Sequence, residues 1–365
     1  MSRFKILVIG STGVLGTKLL NFCKRKNINI DTICCFNNYK RLSNQQKKLH
    51  IKNSFVLSDK NDVSKFVNHL KQNKFNIIYF LDHGAFSLRY ANLILKNNKF
   101  STLAIANKEM LIAGGSLLMN MISKSKNNLI PLDSEHFSLQ KIKFNNESIK
   151  KLYITASGGP FYFNKKLKLD HVSLAQVLNH PKWKMGFNNS IDSSNFINKI
   201  LEIYELSHIY QIDLKKINFL ISKEAYIHSL IIFKDNTISL NSFDNDMLIT
   251  LVSPLTTYFQ FELNKESKNY LNNLYLKLEE FDDNRFIINK YFKKFMHLNH
   301  INQIKLLTLN KIAQKLYLNG AISYNQIISF IINNLNKGNK RVKLYNFQSI
   351  LNYIESIEHD YKDIF

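Results

Sequence analysis

Two carboxylates two positions apart, Asp133 and Glu135, follow a short strand-like run at 129–132. In extended chain such a pair points to one side. Carboxylates crowded on one face either repel, which raises a pKa, or hold a hard divalent cation through oxygen. No cysteine joins them, so Mg²⁺ or Mn²⁺ suits the pair better than a thiolate-held metal. A third acid is then wanted, and Glu202 is the candidate. On a helical wheel, Phe196, Ile197, Ile200, Leu201, Ile203 and Tyr204 cover most of the circumference around it. Asn195, Asn198, Lys199 and Glu202 share one narrow stripe. Such a stripe either aims into a pocket or neutralises itself through Lys199 and Glu202 at i, i+3. Surface acids at a helix start equally explain Asp133 and Glu135.

Three glycine-bearing stretches add chemistry of another kind. Gly10-Ser-Thr-Gly13-Val-Leu-Gly16 follows an apolar run and opens a helical pattern. Glycines there let the backbone turn tightly beside a pyrophosphate, with the helix N-terminus facing it. Ser157-Gly158-Gly159 after a strand offers exposed N–H groups and a hydroxyl, a cradle for phosphate. The stretch 180–186, HPKWKMG, carries the single Trp and one of four prolines and reads as a loop able to fold over a ligand. Asn107-Lys108-Glu109 ends another strand, on the side where parallel sheets bind ligands.

Elements must hold these residues. Apolar runs at 4–9, 30–36, 76–81, 101–106 and 129–132 alternate with helical patterns at 63–72 and 88–96. This rhythm predicts an N-terminal Rossmann-like, doubly wound parallel sheet. After 30–36 comes Asn37-Asn38-Tyr39-Lys40-Arg41 without an acid, which favours NADP(H) over NAD. Strands at 152–155 and a pair within 217–240, with Tyr226, His228 and Leu230 on one face, suggest a central α+β domain. The helix that carries Glu202 is expected to start beyond Asp192, capped by Ser193 or Ser194. Past Pro254 a polar connector at 263–273 leads to helical segments at 285–298, 306–318 and 324–334, then a last helix or strand. The expected division is 1–132 for the cofactor, 133–256 for metal and substrate with a flap near 180–188, a linker at 257–282, and a helical domain at 283–365.

Composition bounds the partners. With 50 Lys and Arg against 27 Asp and Glu, the net charge is +23, enough for non-specific adhesion to polyanions at low salt. The lysines are spread evenly and do not form one aromatic-laced face, so no dedicated nucleic-acid function is expected. No run suits a membrane span or a signal peptide. Cys23, Cys34 and Cys35 lack metal-type spacing. Core packing and a reducing cytoplasm are the expectation.

In order, GSTGVLG (10–16), ANKEMLI (106–112), PLDSEH (131–136), TASGGPF (155–161), HPKWKMG (180–186) and SIDSSNFINKILE (190–202) resemble the 1-deoxy-D-xylulose 5-phosphate reductoisomerase family. The resemblance covers roughly the first 250 residues, with a looser fit beyond. It implies an NADPH- and divalent-metal-dependent homodimer of non-mevalonate isoprenoid biosynthesis. Its reaction rearranges 1-deoxy-D-xylulose 5-phosphate and reduces the resulting aldehyde to 2-C-methyl-D-erythritol 4-phosphate. Carried over by position, Asp133, Glu135 and Glu202 match metal ligands. Ser157, Ser193, Asn198 and Lys199 match the phosphate-binding group. Lys108, Ser134 and His180 match residues that touch the sugar, and Trp183 and Met185 belong to the flap. Thr12, Gly13, Val14 and Leu15 match the cofactor turn, with Asn107, Glu109 and Gly186 nearby.

This chain departs from the family at Asn38, Tyr39 and Lys40, at Ala225 where a serine is expected, at Leu248 in place of an arginine, and at Phe187-Asn188 in place of a basic pair. Weaker cofactor and substrate binding with the reaction retained is the expectation. Two other classes compete: another NADP-linked oxidoreductase such as a semialdehyde dehydrogenase, or a decayed enzyme that binds polyanions. The first would want a mid-chain cysteine, whereas all three precede residue 36. Retention of the three acids and of Asn198 and Lys199 weighs against the second.

Overall fold

The structure, a computed structural model, describes residues 4–99, 101–140, 142–181, 186–263, 275–337 and 342–362. Elements up to residue 139 are β1 (Ile6–Ile9), α1 (Val14–Arg25), β2 (Thr32–Cys35), α2 (Tyr39–Leu49), β3 (Asn53–Val56), α3 (Lys60–Gln72), β4 (Ile77–Phe80), α4 (Leu88–Asn97), β5 (Thr102–Ile105), α5 (Lys108–Lys124), β6 (Asn128–Pro131) and α6 (Ser134–Leu139). Next come β7 (Ile149–Ala156), α7 (Leu174–Leu178), α8 (Phe187–Ser194), α9 (Ile197–Tyr210), β8 (Ile217–Ile221), β9 (Ile227–Phe233), β10 (Ile238–Ser242) and α10 (Met247–Thr256). The remainder holds β11 (Glu279–Glu280), α11 (Ile287–Phe295), α12 (His300–Leu318), α13 (Gln326–Leu335) and α14 (Phe347–Asp360). The expected connector lies almost wholly outside the described residues, as do Trp183 and Met185.

The chain folds into two compact units. The first comprises Met1–Met110, Ser116–Lys141 and Asp244–Leu274. Its sheet has six strands in the order β3-β2-β1-β4-β5-β6, paired parallel throughout. This is the doubly wound order expected from the sequence, with its switch point between β1 and β4. All residues of β1, β2, β4 and β5 are buried, because helices cover both faces of such a sheet and leave no polar side. Cys23, Cys34 and Cys35 are free thiols in this core, and burial pushes the Cys23 thiol up to about 12. The sequence reading passed over α2 and β3. Asn38 starts α2 by accepting from the Arg41 N–H at 3.1 Å. β3 is an edge strand with two of its four residues only half-buried, so neither element shows a strong apolar pattern.

The second unit comprises Leu111–Gly115, Ile142–Phe243 and Tyr275–Phe365. Its five-stranded mixed sheet runs β10-β9-β7-β8-β11, with β7 and β8 parallel and the other pairs antiparallel. The run 217–240, read as two strands, holds β8, β9 and the start of β10, because turns at 222–226 and 234–237 split it. His228 is buried, stacks on Phe243 at 3.9 Å and meets the Phe243 carbonyl at 3.3 Å, a structural role. The helices α11 to α14 form where helical segments were expected, and α14 settles the tail as a helix. α9 lies against β7 and β8. Its expected start needs correction: Asp192, Ser193 and Ser194 belong to the end of α8. The chain then turns through Phe196 at φ 66°, and the Asn195 side chain accepts from the Ile197 N–H at 3.0 Å to begin α9.

Candidate active site

In the first unit, the carboxyl ends of β1 and β4 are brought tightly together by Gly10. At φ +88°, a Cβ there would lie 2.5 Å from the Asp82 nitrogen, so no other residue fits this turn without moving β4. Gly13 precedes α1, with Thr12 half-buried and Gly13 and Val14 exposed, Val14 to 62 %. Thr12, Gly13, Val14 and Leu15 thus line one turn at the start of α1, with backbone free to approach a pyrophosphate. Asn107 is fully buried and rigidly held: its carbonyl oxygen accepts from the Met110 N–H at 2.8 Å and its amide donates to the Gly84 carbonyl at 2.9 Å.

Asp82, which the sequence reading overlooked, lies two residues past the end of β4, at this crevice. Burial and the charge of Glu109 push its carboxyl up to about 6, against hydrogen bonds from Ser87 and Asn107. The Ser87 hydroxyl donates to it at 2.6 Å. An acid directly after a β4-like strand was the available signal.

At the end of β6 the acid pair forms differently from the extended geometry expected. Asp133 is the N-cap of α6, accepting from the Glu135 N–H at 3.2 Å, and Glu135 lies in the first helical turn. The cap, rather than strand alternation, brings the two carboxylates together, with one oxygen of each within 4.8 Å of the other. Lys108 Nζ reaches Asp133 at 3.3 Å, His136 Nδ1 reaches it at 3.0 Å, and Ser134 Oγ donates to Glu135 at 2.6 Å. His136 is a residue the sequence reading missed. Three positions after Asp133 on one helix, it faces the same side, a pattern hidden by treating the segment as extended.

In the second unit, Glu202 is 2 % exposed. It takes hydrogen bonds from the Asn198 amide and from Lys199 Nζ, the latter at 2.6 Å. A buried carboxylate is tolerable only when paired and hydrogen-bonded in this way. Ser157 Oγ and His180 Nε2 lie 3.3 Å apart. Burial, with the nearby Lys199 charge, pushes the His180 imidazole down to about 4, so the ring is neutral at pH 7. Gly159, at φ +58°, lets its loop pass Ser193, whose carbonyl would stand 3.0 Å from an added Cβ. Ser157, His180, Ser193, Asn198, Lys199 and Glu202 therefore gather around the start of α9. Asp192 lies behind them, buried, and accepts from Asn310 at 2.9 Å and from Gln314 on α12. Gly186 caps the start of α8.

Carboxylate oxygens make up the candidate ligand set, and the thiols lie inside the first unit's core. Hard oxygen donors with hydrogen-bonded carboxylates fit a Mg²⁺- or Mn²⁺-type ion. The exposed glycine turn at the switch point likewise fits a dinucleotide.

A doubly wound sheet with an open glycine turn in one unit, and in the other serines, an amide and a lysine gathered about the buried Glu202 carboxylate, are the parts of a dinucleotide-dependent enzyme. The family model for the 1-deoxy-D-xylulose 5-phosphate reductoisomerase C-terminal domain matches residues 129–210. A 1-deoxy-D-xylulose 5-phosphate reductoisomerase of Pelagibacter ubique is 34 % identical over 354 residues, which is 90 % of this chain and 90 % of that protein. The chain belongs to the 1-deoxy-D-xylulose 5-phosphate reductoisomerase family. Its fold is shared by the Zymomonas mobilis reductoisomerase in complex with NADPH, at TM-score 0.82 and 22 % identity over 98 % of each chain. It is also shared by a DOX-P reductoisomerase solved with NADPH, fosmidomycin and magnesium, at TM-score 0.86 and 21 % identity, covering 99 % of this chain and 98 % of that one.

Proposed function

We propose that the chain converts 1-deoxy-D-xylulose 5-phosphate to 2-C-methyl-D-erythritol 4-phosphate with NADPH and Mg²⁺ or Mn²⁺, in non-mevalonate isoprenoid biosynthesis. The observation that carries this reading is the buried Glu202 carboxylate, held by Asn198 and Lys199. Asp133, Glu135 and Glu202 are the proposed metal ligands. The ion, when bound, supplies polarisation of the substrate carbonyl and its neighbouring hydroxyl.

The chain's own residues do the rest. Ser157, Ser193, Asn198 and Lys199 hold the phosphate, and Lys199 is oriented by its 2.6 Å pairing with Glu202. Ser134, Lys108 and His180 touch the sugar. The neutral His180 ring supplies a hydrogen bond without adding a cation beside Lys199. Thr12, Gly13, Val14, Leu15, Asn107, Glu109 and Gly186 receive the cofactor, with Asn107 locked by its two backbone contacts. By the family resemblance, Trp183 and Met185 are proposed to contact the substrate and keep water from it. In the proposed domain scheme, 1–132 binds cofactor, 133–256 metal and substrate, 257–282 links, and 283–365 is helical support.

Homodimerisation is supported by β10, an edge strand whose Ile238 and Leu240 are 60 % and 54 % exposed while its alternate residues are half-buried. Apolar side chains on an open sheet edge favour a partner. A cytoplasmic home is supported by three free thiols, and no described helix is long and apolar enough to cross a membrane. NADPH oxidation in the presence of deoxyxylulose phosphate and Mg²⁺ or Mn²⁺ tests the activity. Absence of turnover with every divalent metal would overturn it.

A further inference from the structure

We propose that Arg285 is a positioning residue of the phosphate site: its guanidinium fixes the loop 157–168, so that Ser157 and Gly159 stand beside Ser193. The inference rests on the reaction reading above and deepens it. The loop contains no strand or helix, yet it must present the Ser157 hydroxyl and the backbone at Gly158 and Gly159 to one point. Arg285 gathers it. Nη1 donates to the Asn164 carbonyl at 2.7 Å and to the Leu167 carbonyl at 3.3 Å. Nη2 donates to the Tyr162 and Phe161 carbonyls at 3.1 and 3.3 Å. Nε and Nη2 also reach the Asp283 carboxylate, at 3.1 and 2.8 Å. All three guanidinium nitrogens are thus engaged by the chain itself, so the residue acts through the loop and not as a ligand of the substrate. Asp283 is buried and accepts from Lys165 of the same loop at 2.8 Å. Against that burial, Arg285 and Lys165 hold its carboxyl down at about 2.

From the anchored carbonyls the path to the site is short. The Tyr162 N–H donates to the Gly158 carbonyl at 3.2 Å. The Phe163 ring covers Gly158 so closely that a Cβ there, at φ +88°, would stand 2.6 Å from it. Gly159 in turn runs against the Ser193 carbonyl. The same segment also braces the other half of the site. Phe281 and Phe286, which flank Asp283 and Arg285, pack on Phe196 at 4.4 and 4.9 Å. Phe196 is the corner that opens α9, the helix of Asn198 and Lys199. Residues 281–286 therefore bear on both groups proposed to hold the phosphate. A lysine at 285 would keep the charge and lose the planar fork, and one ammonium with three donors cannot bond four carbonyls and a carboxylate.

Steady-state kinetics of purified full-length Arg285→Lys separates geometry from charge. The KM for 1-deoxy-D-xylulose 5-phosphate and the inhibition constant of inorganic phosphate should both rise about 10-fold, with kcat within about 3-fold of wild type. The Kd of NADPH, read by fluorescence titration, should not change. Lys165→Gln removes only the loop's tie to Asp283 from an exposed position, so it should fold and show a smaller rise of the same pattern; melting curves check both variants. Wild-type KM and phosphate inhibition in both variants, a fall in kcat at unchanged KM, or an equal loss of NADPH affinity would overturn the assignment to Arg285 alone. A wild type without turnover would overturn the reaction reading and this proposal with it.

Discussion

Glu202 keeps its carboxylate in a buried position because two side chains of its own helix donate to it. Glu202→Gln should abolish NADPH oxidation and lower Mn²⁺ affinity by more than the roughly 10–100-fold typical of outer partners, read by calorimetry. Wild-type Mn²⁺ binding in that variant would remove it from the ligand set. Asp82 makes a prediction of the opposite kind. Its folded pKa is raised from 3.8 to about 6, so the native state binds this proton more tightly than the unfolded chain. Its stabilising contribution is complete below about pH 4 and lost as pH rises through about 6, a difference on the order of 3 kcal/mol by pH 7. Asp82→Asn should therefore raise the urea midpoint at pH 8 far more than at pH 4. Equal changes at both would contradict the burial argument. At this scale the sequence made the acids, Lys199 and His180 visible as types at telling spacings. His136 and Asp82 were hidden because their significance depends on a helical cap and on burial, which single residues do not advertise.

Among the elements, the doubly wound sheet was legible because fully apolar strands alternate with helices, whereas polar α2 and half-exposed β3 left no such trace. The polar stripe of α9 was legible for the same periodic reason; its first residue was not. Three candidate caps sit in a row at Ser193, Ser194 and Asn195, and nothing in a phenylalanine announces a left-handed turn. The break at Phe196 is over-determined by rings: Phe281 at 4.4 Å, Phe286 at 4.9 Å and Phe219 at 5.9 Å. Asn195→Ala removes the acceptor that opens α9 and should cost about 1 kcal/mol in denaturant unfolding. Phe196→Ala should cost about 3–5 kcal/mol, the usual toll of emptying a buried aromatic site. A melt unchanged by either substitution would mean that the turn is not held as described.

For the whole molecule, charge and surface matter more than any one contact. A net +23 should make the protein adhere to heparin or nucleic acid at 50 mM salt and release it by about 200 mM. Retention at high salt would instead revive a dedicated polyanion function. If β10 forms the homodimer, Ile238→Lys with Leu240→Lys should yield monomers by light scattering while the melting temperature of the subunit persists. Two of the departures expected from the sequence are Ala225, buried at φ +56°, and Leu248, in the first turn of α10; neither side chain carries a polar group. Michaelis constants above those of a relative that retains serine and arginine there are expected, with turnover preserved.

The left-handed corner at Phe196 links hydrocarbon to charge. A bulky residue pays roughly 1–2 kcal/mol to sit there, so without its aromatic neighbours the chain would gain by straightening into one continuous rod from Phe187 to Tyr210. Each residue of such a rod is rotated about 100° from the last, and Lys199 and Glu202 would be swung away from Ser193 and Ser157. Truncation of Phe281 or Phe286 to Ala should then surface as lost catalysis in a protein that still melts cooperatively.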